Sequence, residues 1–191
     1  MGEKMHKEYL KVLRGRLDDY RYCHCLAVAE QSVHLAEKYG ANKENAYIAG
    51  LLHDITKNEN YDWQLNFAMD CGIILDSVLI NSPKLLHAVT GALFLEHELG
   101  IKNCEILNAV RYHTTGKANM TLLEKIVYIA DFTSSDRTYP DVDIVRGLVE
   151  KSLEEAILYA LSYTIKNLVD KQTTVHNDTL DAYNFLVSQN I

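Results

Sequence analysis

Apolar residues along this chain recur at three- and four-residue spacing, the period of a helix with one buried face. Tyr20, Cys23, Ala27, Val28 and Leu35 keep that spacing in a stretch ending at Tyr39-Gly40, where glycine supplies a C-terminal stop. A second helix is predicted from the N-cap residue Asn42 through Ala46, Ile48, Ala49, Leu51 and Leu52 to His53-Asp54. Trp63 to Cys71, closed by Gly72, and Pro83 to Leu99, closed by Gly100, read as two more, with Pro83 suited to a first turn. A short helix from Asn103 carries Ile106, Leu107 and Val110 to His113, and Thr114-Thr115-Gly116 breaks it. Thr121-Leu122-Leu123-Glu124 has capping-box spacing ahead of the apolar run Ile126 to Phe132. After a loop from Thr133 to Pro140, one periodic run passes through Val145, Leu148, Val149, Leu153, Ile157, Leu161, Ile165 and Leu168. A polar break, Gln172 to Thr179, precedes a last helix carrying Leu180, Tyr183, Phe185, Leu186 and Val187. Strands have no comparable signal, because two prolines and nine glycines leave little turn punctuation for a β protein. The expectation is an all-α fold.

With 191 residues, 48% of them hydrophobic, the chain can build one sizeable core, and it shows no repeat or low-complexity tract. A single compact helical bundle over 1–191 is expected, with a core of about 18–135 and closing helices over 141–190. The 19 Lys and Arg against 26 Asp and Glu leave a net charge of −7, which argues against a nucleic-acid-binding face. A polyanionic ligand would have to be met by local cations or by a metal. No apolar run reaches the roughly 20 residues needed to cross a bilayer, and Met1-Gly2-Glu3-Lys4-Met5 lacks the hydrophobic stretch of a signal peptide. His6 also breaks the myristoylation pattern, so a soluble cytoplasmic protein is expected. Cys23, Cys25, Cys71 and Cys104 form no CxxC pair and read as reduced thiols rather than zinc ligands.

Chemistry enters where polar residues interrupt apolar runs. His53-Asp54 directly follows Ile48 to Leu52, Asp131 sits inside Val127 to Phe132, and His24 shares a face with Ala27, Val28 and Leu35. An uncompensated carboxylate or imidazole in a core is costly, so each must be met by something. Any one of them alone is more simply a hydrogen-bonded core histidine or a capping aspartate. Three helices each sending such a group inward favour a shared ligand, because imidazole plus carboxylate is the mixed nitrogen and oxygen set that first-row transition metals prefer. His24, His53, Asp54 and Asp131 are therefore the candidate metal ligands.

In that order, H…HD…D, these residues resemble the HD-domain phosphohydrolases. The company they keep sharpens the resemblance. Arg21-Tyr22-Cys23-His24, His53-Asp54-Ile55-Thr56-Lys57, His87-Ala88-Val89-Thr90-Gly91-Ala92, Tyr112-His113-Thr114-Thr115-Gly116 and Asp131 with Arg137 and Pro140 are similar to the symmetrical bis(5'-nucleosyl)-tetraphosphatase family, over about residues 5–190. The resemblance implies an HD-type helical bundle and a divalent cation at His24, His53, Asp54 and Asp131, with iron the expected metal and manganese, cobalt, nickel or zinc the alternatives. It further implies Arg21, His87, His113 and Arg137 around the nucleotide phosphates, and Thr174, Val175, His176, Asn177, Asp178 and Thr179 beside the nucleoside. The chain departs from the family pattern at Ser135-Asp136, where an acidic residue and proline precede the arginine, and at Asn177, where proline often follows the histidine.

The implied reaction is attack of metal-activated water on a phosphorus of diadenosine tetraphosphate, giving two ADP. Asp54, His87, His113 and Lys57 are the candidate catalytic residues. His87 and His113 admit two roles, holding a second metal with Asp54 as the bridge, or contacting phosphate and protonating the leaving group. Lys57 reads either as a phosphate contact or as an ordinary solvated lysine at a helix end. Arg137 has the planar guanidinium that grips phosphate bidentately. His6, His34 and His97 have no motif partners and read as structural or surface residues, and most of the twelve tyrosines read as packing. Rival readings are an HD phosphohydrolase for another nucleotide (a nucleoside monophosphate, a deoxynucleotide or guanosine tetraphosphate), a nucleotide-binding protein without turnover, or a plain helical interaction module. The sequence leaves self-association into a homodimer open.

Overall fold

The computed structural model describes residues 2–189, with side chains from Met5 onward. Met1, Asn190 and Ile191, the outermost residues of the expected 1–191 domain, lie outside the described residues. Among the described residues the chain forms eleven helices and no strand: α1 (Gly2–Arg16), α2 (Asp19–Tyr39), α3 (Lys43–Leu52), α4 (Tyr61–Asp70), α5 (Ser77–Ile80), α6 (Pro83–His97), α7 (Cys104–Tyr112), α8 (Leu122–Thr133), α9 (Val142–Val149), α10 (Leu153–Asp170) and α11 (Asn177–Ser188).

The helix ends follow from local chemistry. Asp18, Asn42, Asn60, Asp76 and Asn103 each stand in front of a helix and accept a backbone N–H of its first turn on a side-chain oxygen. Thr121 and Glu124 close a reciprocal capping box on α8. At the other end of α2, Gly40 takes φ +78° and its N–H returns to the carbonyl of Ala36.

α8 is the axis of the bundle. Ile126, Val127, Tyr128, Ile129 and Ala130 are all fully buried, so this helix is enclosed on every side by α2, α3, α7, α9 and α10. One apolar core draws residues from α1 to α11, and a smaller cluster of Leu79, Leu86 and Val89 seats α5 on α6. Two glycines set the approach of the helices that carry the polar residues. A Cβ on Gly50 would lie 2.6 Å from Ser32 Oγ and 3.0 Å from Ala29 Cα, so α2 and α3 meet backbone to backbone there. A Cβ on Gly91 would lie 3.3 Å from Val110 Cγ1 and 3.5 Å from the His53 carbonyl, which lets α6 close on α3 and α7.

The structure corrects the sequence reading in four places. α1 and the four-residue α5 are helices that the apolar pattern does not predict. The periodic run from Val145 to Leu168 is two helices, α9 and α10, because Ser152 turns the chain and caps the Glu155 N–H. The four-residue step from Val149 to Leu153 keeps the apolar spacing across that break and so conceals it. The break expected over Gln172 to Thr179 ends at His176, and α11 begins at Asn177.

Candidate metal centre

His24 leaves α2, His53 and His113 stand at the C-caps of α3 and α7, Asp54 follows His53 in the turn, His87 lies in α6 and Asp131 in α8. Their four imidazoles form a row, His24–His53–His113–His87, with neighbouring ring centroids 5.2, 4.9 and 5.0 Å apart. All four histidines and Asp54 are buried, while Asp131 is partly open.

Helix termination explains how two of these rings are aimed. The last carbonyls of an α-helix have no intrahelical N–H to accept. His53 Nδ1 donates to the Gly50 carbonyl at 2.8 Å, and His113 Nδ1 donates to the Val110 carbonyl at 2.7 Å. Each ring thereby carries a proton on Nδ1 and turns its Nε2 to the interior. His24 is oriented from elsewhere in the chain: its Nδ1 donates to Asp136 Oδ2 at 2.8 Å, and its Nε2 lies 3.0 Å from Asp131 Oδ1.

Asp54 stands between the two ends of the row. Its Oδ2 accepts from Arg21 Nη1 at 2.7 Å and lies 3.4 Å from His53 Nε2. Its Oδ1 lies 3.0 Å from His87 Nε2 and 3.5 Å from His113 Nε2, at angles that make no hydrogen bond. Lys57 Nζ is 3.7 Å from the same oxygen and 3.1 Å from His87 Nε2. At the His24 end, Arg137 pairs with Asp131 Oδ1 and places Nη2 3.3 Å from His24 Nε2. Arg146 ties down the loop that carries Arg137 by donating to the carbonyls of Thr133, Ser134 and Arg137.

The electrostatics follow from burial opposed by near neighbours. Burial alone would raise Asp54, but the imidazoles of His53, His87 and His113 hold it well below the usual carboxylate range. Asp131 is likewise held low, against its burial, by His24 and Arg137. Burial, reinforced by Lys57, pushes His87 down to about 4, and burial lowers His113 as well. Burial also lowers Lys57, although Asp54 opposes it. The site thus sets two carboxylates beside His87 and His113, both held neutral by burial, with Arg21, Lys57 and Arg137 at its rim.

These residues fit a divalent cation. His53 Nε2 and Asp54 Oδ1 are buried polar atoms without a hydrogen-bond partner, a costly arrangement unless a ligand is intended for them. His24, His53 and Asp131 offer ligand atoms all within 4.8 Å of one another, and so do His53, Asp54 and His113. The expected ligands His24, His53, Asp54 and Asp131 are therefore together, but as two triads sharing His53 rather than one compact set. Thr174 to Thr179 lie apart. Thr174 Oγ1 is 2.8 Å from Ser82 Oγ, His176 Nε2 is 3.2 Å from Asp76 Oδ2, and none of the six is hydrogen-bonded or ion-paired to the cluster among the described residues. Ser82 is the N-cap residue of α6, the helix that carries His87, and Asp76 is that of α5.

Sequence reasoning missed Asp136, whose partner is 112 residues away, and it missed Arg146, which no motif marks. The carbonyl anchors of His53 and His113 had a local signal, a histidine immediately after a helix end. Of the residues given no motif role, His6 pairs with Glu44 and His34 with Glu150 at the surface, and all four cysteines are free. No helix among the described residues is long and apolar enough to cross a membrane.

The family model described as HD domain matches residues 21–136. A symmetrical bis(5'-nucleosyl)-tetraphosphatase of Bacillus subtilis is 36% identical over 182 residues, covering 95% of this chain and 97% of that protein. One of the same name from Halalkalibacterium halodurans is 35% identical, covering 93% of this chain and 95% of that protein. Among solved structures, a predicted HD superfamily hydrolase involved in NAD metabolism, from Clostridium acetobutylicum, superposes with a TM-score of 0.95. It is 35% identical, with 96% of this chain and 97% of that chain covered.

Proposed function

The chain belongs to the HD domain family, and on that premise we propose that it is a metal-dependent hydrolase that splits diadenosine tetraphosphate symmetrically into two ADP. The observation that carries the chemistry is Asp54, a buried carboxylate with one oxygen unpartnered, flanked by the Nε2 atoms of His53 and His113 and approached by two cationic side chains, Arg21 and Lys57. The substrate assignment rests on the two tetraphosphatases that match nearly end to end.

His24, His53, Asp54 and Asp131 would hold the cation; their mixed nitrogen and oxygen donors suit a first-row transition metal, and iron among these is what the family resemblance implies. Such a cation supplies Lewis acidity, drawing charge from a phosphoryl oxygen and making water at the site more acidic. The protein's own groups do the rest. Arg21, Lys57 and Arg137 meet a tetraphosphate that the net charge of −7 would otherwise repel. His87 and His113 contact phosphate oxygens, His113 by taking up a proton on Nε2 since its Nδ1–H is already donated to the Val110 carbonyl, and Thr174 to Thr179 hold one nucleoside. Water oxygen bonds the phosphorus two places from one adenosine, the central anhydride bond breaks, and the bridging oxygen leaves with the other ADP. A second ion held by Asp54, His87 and His113 is the competing assignment for those histidines, and metal stoichiometry by elemental analysis decides it. We place the enzyme in the cytoplasm, where its four free thiols stay reduced.

The test is product analysis after incubating diadenosine tetraphosphate with metal-loaded and chelator-treated protein. ADP as sole product, lost with the metal, is the expected result. ATP plus AMP would reject symmetrical cleavage, and absence of turnover would reject the substrate.

A further inference from the structure

A symmetrical cut places the reacting phosphorus near the middle of the substrate, so two nucleosides must lie on opposite sides of the metal ligands. Of Thr174 to Thr179, Thr174 touches Ser82 at the start of α6, the helix that carries His87, and His176 touches Asp76 at the start of α5; none is hydrogen-bonded or ion-paired to His24, Asp131 or Arg137 among the described residues. The end of the imidazole row away from His87 is formed by His24, Asp131 and Arg137. A cleft of about 230 Å³ opens from this end, bounded by Asp131, Phe132, Arg137, Tyr139 and Tyr163. Its lining changes from the charged pair Asp131 and Arg137 to aromatic rings, in the order a phosphate followed by a base requires.

The aromatic end is shaped in advance. Tyr139 donates its hydroxyl to the carbonyl of Phe132, which fixes the ring beside Asp131. Tyr163, on α10, lies with its ring centroid 5.8 Å from that of Tyr139 and their planes 34° apart, and it is 37% exposed. Tyr163 also lines a second groove of about 500 Å³ that offers Ser162, Lys166 and Glu155 for polar edges. Rings so placed, one anchored and one open to solvent, are the platform on which bases stack with little regard to identity.

From this we infer that the Tyr139–Tyr163 cleft is a second nucleoside subsite, which takes the base of the substrate half opposite Thr174 to Thr179. The inference rests on the proposed dinucleotide substrate and goes beyond it by assigning specificity residues. Tyr163 makes the dinucleotide bind better than a single nucleotide does, without touching the reacting phosphorus.

Tyr163→Ala and Tyr163→Phe are compared with the wild-type, metal-loaded enzyme for KM and kcat on diadenosine tetraphosphate and for inhibition by ADP. With Tyr163→Ala, KM rises about tenfold, equal to about 1.4 kcal/mol, while Tyr163→Phe stays near wild type. The loss falls on KM rather than kcat, and the inhibition constant of ADP, which fills the first subsite, changes less than twofold. An unchanged KM in Tyr163→Ala overturns the inference, as does an ADP inhibition constant that rises in parallel. A KM effect seen instead in Tyr20→Ala, an exposed ring beside Arg21, moves the subsite to α2 and also overturns it. A wild-type enzyme that does not turn over the dinucleotide rejects the proposed function itself, which separates the two failures.

Discussion

Asp136→Ala should loosen the metal centre without removing a ligand. The His24 side chain is 0% exposed, and its Nδ1–H has one acceptor among the described residues, Asp136 Oδ2 at 2.8 Å. That carboxylate is braced in turn by Ser134 Oγ at 2.7 Å. Burial would raise Asp136, but the bonds from Ser134 and His24 lower it, so the acceptor is charged. Truncation leaves a buried N–H unpaired, which costs about 1–3 kcal/mol, and it frees the ring to rotate and to change tautomer. Loss of such an outer partner of a histidine ligand lowers metal affinity or activity by roughly 10- to 100-fold. Thermal unfolding of the stripped protein measures the first quantity, and competition against a chelator of known affinity, with elemental analysis, measures the second. Asp136→Asn keeps an oxygen that can accept from Nδ1 and should lose less. An Asp136→Ala protein that holds its cation as tightly as wild type, with unaltered stability, would refute the view that this residue orients His24.

Three further outcomes follow from other contacts. Gly50→Ala drives a Cβ to 2.6 Å from Ser32 Oγ and 3.0 Å from the Ala29 backbone and should destabilise the fold by about 1–3 kcal/mol in denaturant titration; Ser32→Ala, which removes a buried and unpartnered hydroxyl, should be neutral or stabilising alone and should relieve part of the Gly50→Ala loss. In metal-stripped protein, His87 is held near 4 against an unfolded value near 6.5, so the unfolded chain takes up the proton first and stability falls as pH drops through that window. The loss approaches about 3 kcal/mol, and melts at successive pH values that show no such slope, or the same slope in His87→Gln, would contradict it. Arg137→Ala should leave the cation bound and cut kcat/KM by roughly 10- to 100-fold, with Arg137→Lys restoring little because the fork geometry is lost; unchanged kinetics would remove Arg137 from the phosphate site.

Helices whose ends carry their own chemistry are legible in the sequence alone. Asn42 and Gly40, Asn103, and the Thr121 and Glu124 box are local devices, and a residue's own neighbours suffice to read them. The candidate ligands are legible for a related reason: histidine or aspartate inside an apolar run must be compensated, and His24, His53, Asp54 and Asp131 stand out by that conflict. The break between α9 and α10 was hidden because Val149 and Leu153 preserve the apolar period across it. Pairings between distant segments were decided only by the tertiary structure. Asp136 reaches His24 across 112 residues. The four-imidazole row exists because Gly50 and Gly91 let α2, α3, α6 and α7 approach, and the Tyr139–Tyr163 cleft is a relation between a loop and α10. Periodicity reports which face of a helix is buried. Which helix it is buried against depends on the packing of the whole chain, and the shape of the site depends on that packing.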